Sequence, residues 1–192
     1  KPLALIIEWR AAIVMLVMLN LLIAMVNVID MYWVWFNFEW EGEYLKQFVH
    51  EGTYMLILSI FVSVGIVLYF FRRNLNFYSK NVWLKRLCYI WLGQNIILAL
   101  SVAIRNIHYI KNFALASKRI GVMIFLLLVI IGIVTVYLKV RDKRSSFLLF
   151  KWNALAIVAV LFCSAIPNWN AIIIEYNFNH HGEAFLHFDY LA

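Results

Sequence analysis

Five apolar segments of about twenty residues each dominate this chain, and they limit what it can fold into more than any other feature. They run approximately over residues 11–36, 53–71, 87–104, 120–138 and 147–166. A helix needs roughly 20 mostly apolar residues to cross the ~30 Å hydrocarbon core of a bilayer, and each segment comes close to that length. Composition points the same way. Of 192 residues, 65% are hydrophobic and 14% charged, whereas a soluble domain is about 45–50% apolar and about 25% charged. A soluble fold of this size buries only about 70% of its unfolded surface, so the excess apolar area must face lipid. The connections are short and polar, and none is rich in Pro, Gly or Ser. The expected fold is all-α: a polytopic transmembrane bundle of about five helices in one domain over residues 1–192, with residues 167–192 as an outer tail.

Lys and Arg are enriched in cytoplasmic loops, so their placement sets the expected orientation. With the N-terminus inside, the inner segments hold Lys1, Arg10, Arg72, Arg73, Lys80, Lys85, Arg86, Lys139, Arg141, Lys143, Arg144 and Lys151, twelve of the seventeen basic residues. Lys46, Arg105, Lys111, Lys118 and Arg119 fall outside, and the first outer loop carries Glu39, Glu41, Glu43 and Glu51. The expectation is N-in and C-out. The net charge of +7 is then accounted for by inner loops resting on anionic lipid head groups, and no nucleic-acid partner is expected. Trp33, Trp35, Trp40, Trp83, Trp152 and Trp169 lie near expected helix ends, as a belt of amphipathic rings at the membrane interface does. Cys88 and Cys163 both sit in apolar runs, where cysteine behaves as a small hydrophobe. No signal-peptide cleavage pattern follows Lys1. The lack of an Asn-x-Ser/Thr sequon is consistent with a bacterial source.

Polar residues inside a span are costly, face the protein interior and are functional candidates. Asn20, Asn27 and Asp30 fall within about 80° on the first helix, at about 100° per residue, and make one polar stripe. The stripe either hydrogen-bonds neighbouring helices, with Asp30 at the outer interface, or lines an ion or proton path. On the third segment Gln94, Ser101, Arg105, His108 and Asn112 share a face if the helix continues past Ile104, with Asn95 beside Gln94. Arg105 stands at the outer end of that span, where its guanidinium can pair with a carboxylate such as Asp30 or fork onto an anionic ligand. Lys111, Lys118 and Arg119 extend the basic patch against the charge bias, so the outer loop from Arg105 to Arg119 is the most unusual stretch. His50, near Tyr44 in the first outer loop, is a weak candidate acid or base. His180, His181, His187 and Asp189 in the tail are residue types that bind zinc, without the fixed set of ligands a metal centre needs. No nucleophile elbow, phosphate loop or zinc-protease motif occurs, and no cofactor is expected.

Four stretches together resemble a family of bacterial polytopic membrane proteins in the DUF4153 and DUF4173 groups, domains of unknown function. They are EYLKQFVHEGTY (43–54), SVAIRNIHYIKNFALASKRI (101–120), IPNWNAIIIEYNF (166–178) and DYL (189–191). The first is similar to a Tyr-x-x-x-Val-His-x-Gly motif, matched by Tyr44, Val49 (one place late), His50 and Gly52. The second resembles Arg-x-x-x-Tyr followed by Phe-Gly-Leu-Thr-x-x-Arg, matched by Arg105, Tyr109, Phe113, Leu115 and Arg119. It departs at Ala114, where the family pattern has glycine, and at Ala116, where it has threonine. The third ends in the family's Tyr-Asn, here Tyr176 and Asn177, with Pro167 and Asn168 in reversed order. The resemblance implies a membrane protein of the bacterial cytoplasmic (inner) membrane and brings no established activity.

Three functions remain open at this point. The expected one is a non-enzymatic subunit or scaffold whose polar stripes bind partner membrane subunits, with membrane lipids around it. A transporter or lipid-handling protein would bind an anionic group through Arg105 and Arg119. A membrane enzyme would use His50.

Overall fold

The computed structural model describes residues 2–36, 81–142 and 146–181, together with residues 57, 58, 62, 65 and 69. The ordered elements are all helical: α1 (Pro2–Met31) continued by a π-helical turn (Tyr32–Phe36), α2 (Val82–Phe113), α3 (Ser117–Asp142), α4 (Ser146–Ala165) and α5 (Trp169–His181). Among the described residues no strand occurs. In hydrocarbon every backbone N–H and C=O must be paired within the segment, and an α-helix does this without a neighbour. Four helices, over Ile6–Phe36, Val82–Phe113, Ser117–Asp142 and Phe147–Ala165, are long and apolar enough to cross a membrane. The expected second span, 53–71, lies outside the described residues apart from those five positions.

Hydrogen bonds between helices fix their directions. Asn20 Nδ2 donates to the Leu87 carbonyl (3.2 Å), Asn27 Nδ2 to the Gln94 carbonyl (3.1 Å) and Trp35 Nε1 to Ser101 Oγ (3.1 Å). The partners are separated by 67, 67 and 66 residues. Sequence number therefore rises together on both helices, and α1 and α2 run parallel, with Phe36 and Asn81 at opposite ends of the pair. The other pairs are antiparallel hairpins. Tyr89 meets Tyr137 with ring centroids 5.1 Å apart across α2 and α3, and Asn153 Nδ2 donates to Thr135 Oγ1 (2.9 Å) across α4 and α3.

Two boundaries differ from expectation. The segment expected over 87–104 is a helix of 32 residues, about 48 Å at 1.5 Å per residue. Hydropathy falls at Arg105, Lys111 and Lys118, but helical geometry persists because long basic side chains reach polar surroundings without breaking the backbone. The stretch from Arg105 to Arg119 is accordingly not a loop: it is the last turns of α2, the three residues Ala114–Ala116 and the start of α3. The segment expected as an outer tail likewise contains α5. Pro167 ends α4, and Asn168 restarts the helix by accepting from the Ala171 N–H at its Oδ1 (3.3 Å), as an N-terminal cap does.

The core lies between α1, α2 and α3, from Leu16 and Ile23 through Leu98 and Val102 to Ile133 and Val136. Outward-facing positions are as apolar as the core: Met18, Met25 and Val28 on α1 and Phe147, Val158 and Phe162 on α4 are exposed. Such an inside-and-out apolar pattern belongs to helices surrounded by lipid.

Ala114 closes α2 at φ 65°, ψ 169°, a region essentially restricted to glycine that costs about 1–3 kcal/mol in any other residue. This is the position where the family pattern has glycine. Ala114→Gly should stabilise the fold by about 1 kcal/mol, the strain relieved less the extra freedom glycine gains on unfolding. An unfolding equilibrium in detergent that shows equal or lower stability for the variant would contradict this.

Candidate functional site

Two polar clusters stand out in the bundle. The first is the seam between α1 and α2. Asn20 donates from Nδ2 to the Leu16 carbonyl of its own helix (2.7 Å) as well as to Leu87, and accepts at Oδ1 from Gln94 Nε2 (3.2 Å). Asn27 follows seven residues on, and Asn95 donates back to the Trp91 carbonyl (2.7 Å). At the upper end Arg105 Nη2 pairs with Asp30 Oδ1, both residues buried. The pair stands where the α-helix of α1 gives way to the π turn, and Trp35 within that turn reaches across to Ser101. Lys85 and Arg86 precede Arg105 on α2 by about twenty residues, or about 30 Å. With those two at one membrane surface, Arg105 falls at the other edge of the hydrocarbon.

The second cluster surrounds the α2–α3 turn. Arg119 Nη1 donates to the Phe113 carbonyl (2.6 Å) and its guanidinium lies over the Tyr109 ring at 4.2 Å. Tyr109 in turn stacks on Phe113 at 4.8 Å. Asn106 Nδ2 donates to the Arg119 carbonyl (2.9 Å). The buried Asn177 of α5 grips the turn from outside: its Oδ1 accepts from Leu115 N–H (2.7 Å) and its Nδ2 donates to Leu115 C=O (3.0 Å). Two backbone groups that no helix satisfies are thereby paired, and Ile173, fully buried one turn earlier, seats the same helix face.

The structure thus brings Asp30 together with Arg105, Arg119 with Tyr109, and Asn20 and Asn27 with Gln94, while Ser101 receives Trp35. Tyr44 and His50 lie outside the described residues, as do His187 and Asp189. His180 and His181 end α5 rather than sitting on an irregular tail, and the His180 ring stacks on Tyr176 at 4.3 Å. Among the described residues no group of three His, Cys, Asp or Glu side chains is placed to hold a metal. Sequence reasoning did not single out Asn106 or a gripping role for Asn177. Nor did it foresee that Lys139, counted with the inner basic residues, is buried. For Asn177 a signal was present, its place in the Tyr-Asn pair of the third stretch.

The second and third family-like stretches therefore meet in space: Arg105, Tyr109, Phe113, Leu115 and Arg119 form one end of the α2–α3 hairpin and Asn177 closes it. Removing one member of a buried ion pair leaves the other uncompensated, at about 3–5 kcal/mol. Arg105→Met and Asp30→Leu should each destabilise the fold by that order, and the double variant should recover most of the loss. Additive losses in a double-mutant cycle would show that the two side chains do not act as a pair.

No curated protein and no solved structure matches the chain. A family model does match, over residues 3–192, and with nearly the whole length covered the chain belongs to DUF4153, a domain of unknown function.

Proposed function

We propose that this DUF4153 chain is a non-enzymatic subunit or scaffold of a membrane complex in the bacterial cytoplasmic membrane, oriented N-in and C-out. The observation that carries the reading is how the bundle divides its surfaces. Intramembrane polar groups of α1 and α2 face one another across the seam. α4 is nearly all outward-facing: only 6% of its apolar stretch is buried. Among the described residues that helix packs on α3, through the Asn153–Thr135 bond and the buried Leu149. A helix so exposed offers most of its circumference to lipid or to partner helices.

Two further points favour a subunit over a transporter. Transporter sites near the midplane are typically built from interrupted helices, and among the described residues α2, α3 and α4 run unbroken through that depth. An anion site on Arg105 and Arg119 would have to displace bonds both guanidinium groups already make, to Asp30 and to the Phe113 carbonyl and Tyr109 ring.

Mild extraction of the tagged chain from its native membrane should give a larger assembly of fixed stoichiometry. A photo-crosslinker at Leu161 or Phe162 of α4 should join the chain to that second subunit. A chain that runs alone, with crosslinks to lipid only, would overturn the subunit reading.

A further inference from the structure

The α1–α2 seam leaves buried amide oxygens without donors. Asn27 and Gln94 each use their amide N–H groups on carbonyl oxygens across the seam, and Asn95 uses its own on the Trp91 carbonyl. Among the described residues the seam's amide oxygens Asn27 Oδ1 and Gln94 Oε1, and Asn95 Oδ1 next to Gln94 on α2, are all fully buried and meet no donor. Turning an amide over does not help, because its oxygen would then face the acceptor that its nitrogen now serves. Asp30 Oδ2 and Arg105 Nε are also buried without partners, but they belong to facing groups of one ion pair, and a side-on fork lets them satisfy each other. The three amide oxygens have no such neighbour.

The missing partner must donate, must be small enough to reach atoms closed to the surface, and must be tolerated beside a neutral ion pair. Anions fail the first condition and a side chain of a partner helix fails the second. A metal ion would lack negative ligands to offset its loss of hydration, since the one carboxylate here is paired with Arg105. Water meets all three, because it brings two donors and commonly bridges otherwise unsatisfied buried polar groups.

We propose that the seam binds internal water at the Asn27, Gln94 and Asn95 amide oxygens, so that a hydrated stretch lies at the middle of the membrane below the Asp30–Arg105 pair. This goes beyond the subunit reading and does not depend on it. A hydrated seam keeps Asp30 within reach of exchangeable protons from its buried side.

Hydrogen–deuterium exchange of the full chain in lipid nanodiscs tests it. Helix α3 supplies the control, because Val129–Ile133 lie at the depth of Gln94 by the Tyr89–Tyr137 register of the hairpin. Backbone amides of α1 from Ile23 to Asp30 should exchange at least tenfold faster than those α3 amides, and Asn27→Leu with Gln94→Leu should bring the two rates together. Equal rates in the unaltered chain would overturn the proposal by showing a dry seam. Fast exchange that persists in a folded double variant would also overturn it, because the water would not be held by these oxygens.

Discussion

The side-chain pairing between α1 and α2 is the interaction on which the rest of the bundle depends. Lipid tails are as apolar as leucine, so helices gain little from hiding apolar faces from them, and association rests on close packing and interhelical hydrogen bonds. Here the bonds recur with a seven-residue step, Asn20 to Leu87 and Asn27 to Gln94, followed by Trp35 to Ser101. Seven residues are just short of two full helical turns, so the seam drifts by only about 20° per step and one face can stay in contact over its whole length. The outcome is a parallel pair, which sequence neighbours joined by a short turn cannot form.

The remaining helices attach to this pair in different ways. α2 presents a second buried side to α3, from Leu92 and Ala99 to Asn106, and the hairpin turn between them is tight enough to force Ala114 into glycine's region of backbone space. Asn177 compensates at the adjoining residue by pairing both backbone groups of Leu115. α5 thus has a structural reason to fold back over this end of the bundle. α4 packs on α3, where Asn153 supplies the polar contact that apolar packing in lipid does not.

Much of this was legible from residue types. Asn20, Asn27 and Asp30 form the stripe that their helical angles imply, and Gln94, Ser101 and Arg105 share the answering face because α2 continues past Ile104. What stayed hidden has physical reasons. Charged positions 105, 111, 118 and 119 lower hydropathy and imitate a loop, whereas backbone geometry there is set by helical hydrogen bonds that a basic side chain does not disturb. α5 is short, with its apolar residues spread around the helix, so it carries no amphipathic period to read. The grip of Asn177 on Leu115 spans 62 residues, and no local pattern encodes a contact at that separation.

The ion pair differs in kind from the amides below it. A seven-residue slip of α1 along α2 would bring the amides opposite other backbone carbonyls, since every turn of a helix presents one, and so the amides alone tolerate several registers. Asp30 has no such freedom. Displaced by two turns it would leave a carboxylate and a guanidinium unpaired at the edge of hydrocarbon, where each isolated charge costs several kcal/mol. A planar guanidinium also demands a carboxylate at one distance and orientation, which a lysine ammonium does not. The amides hold the two helices together, and the Asp30–Arg105 pair selects the register in which they are held. That register places Trp35 on Ser101 and α2 where its last turns can carry the Tyr109–Arg119 cluster.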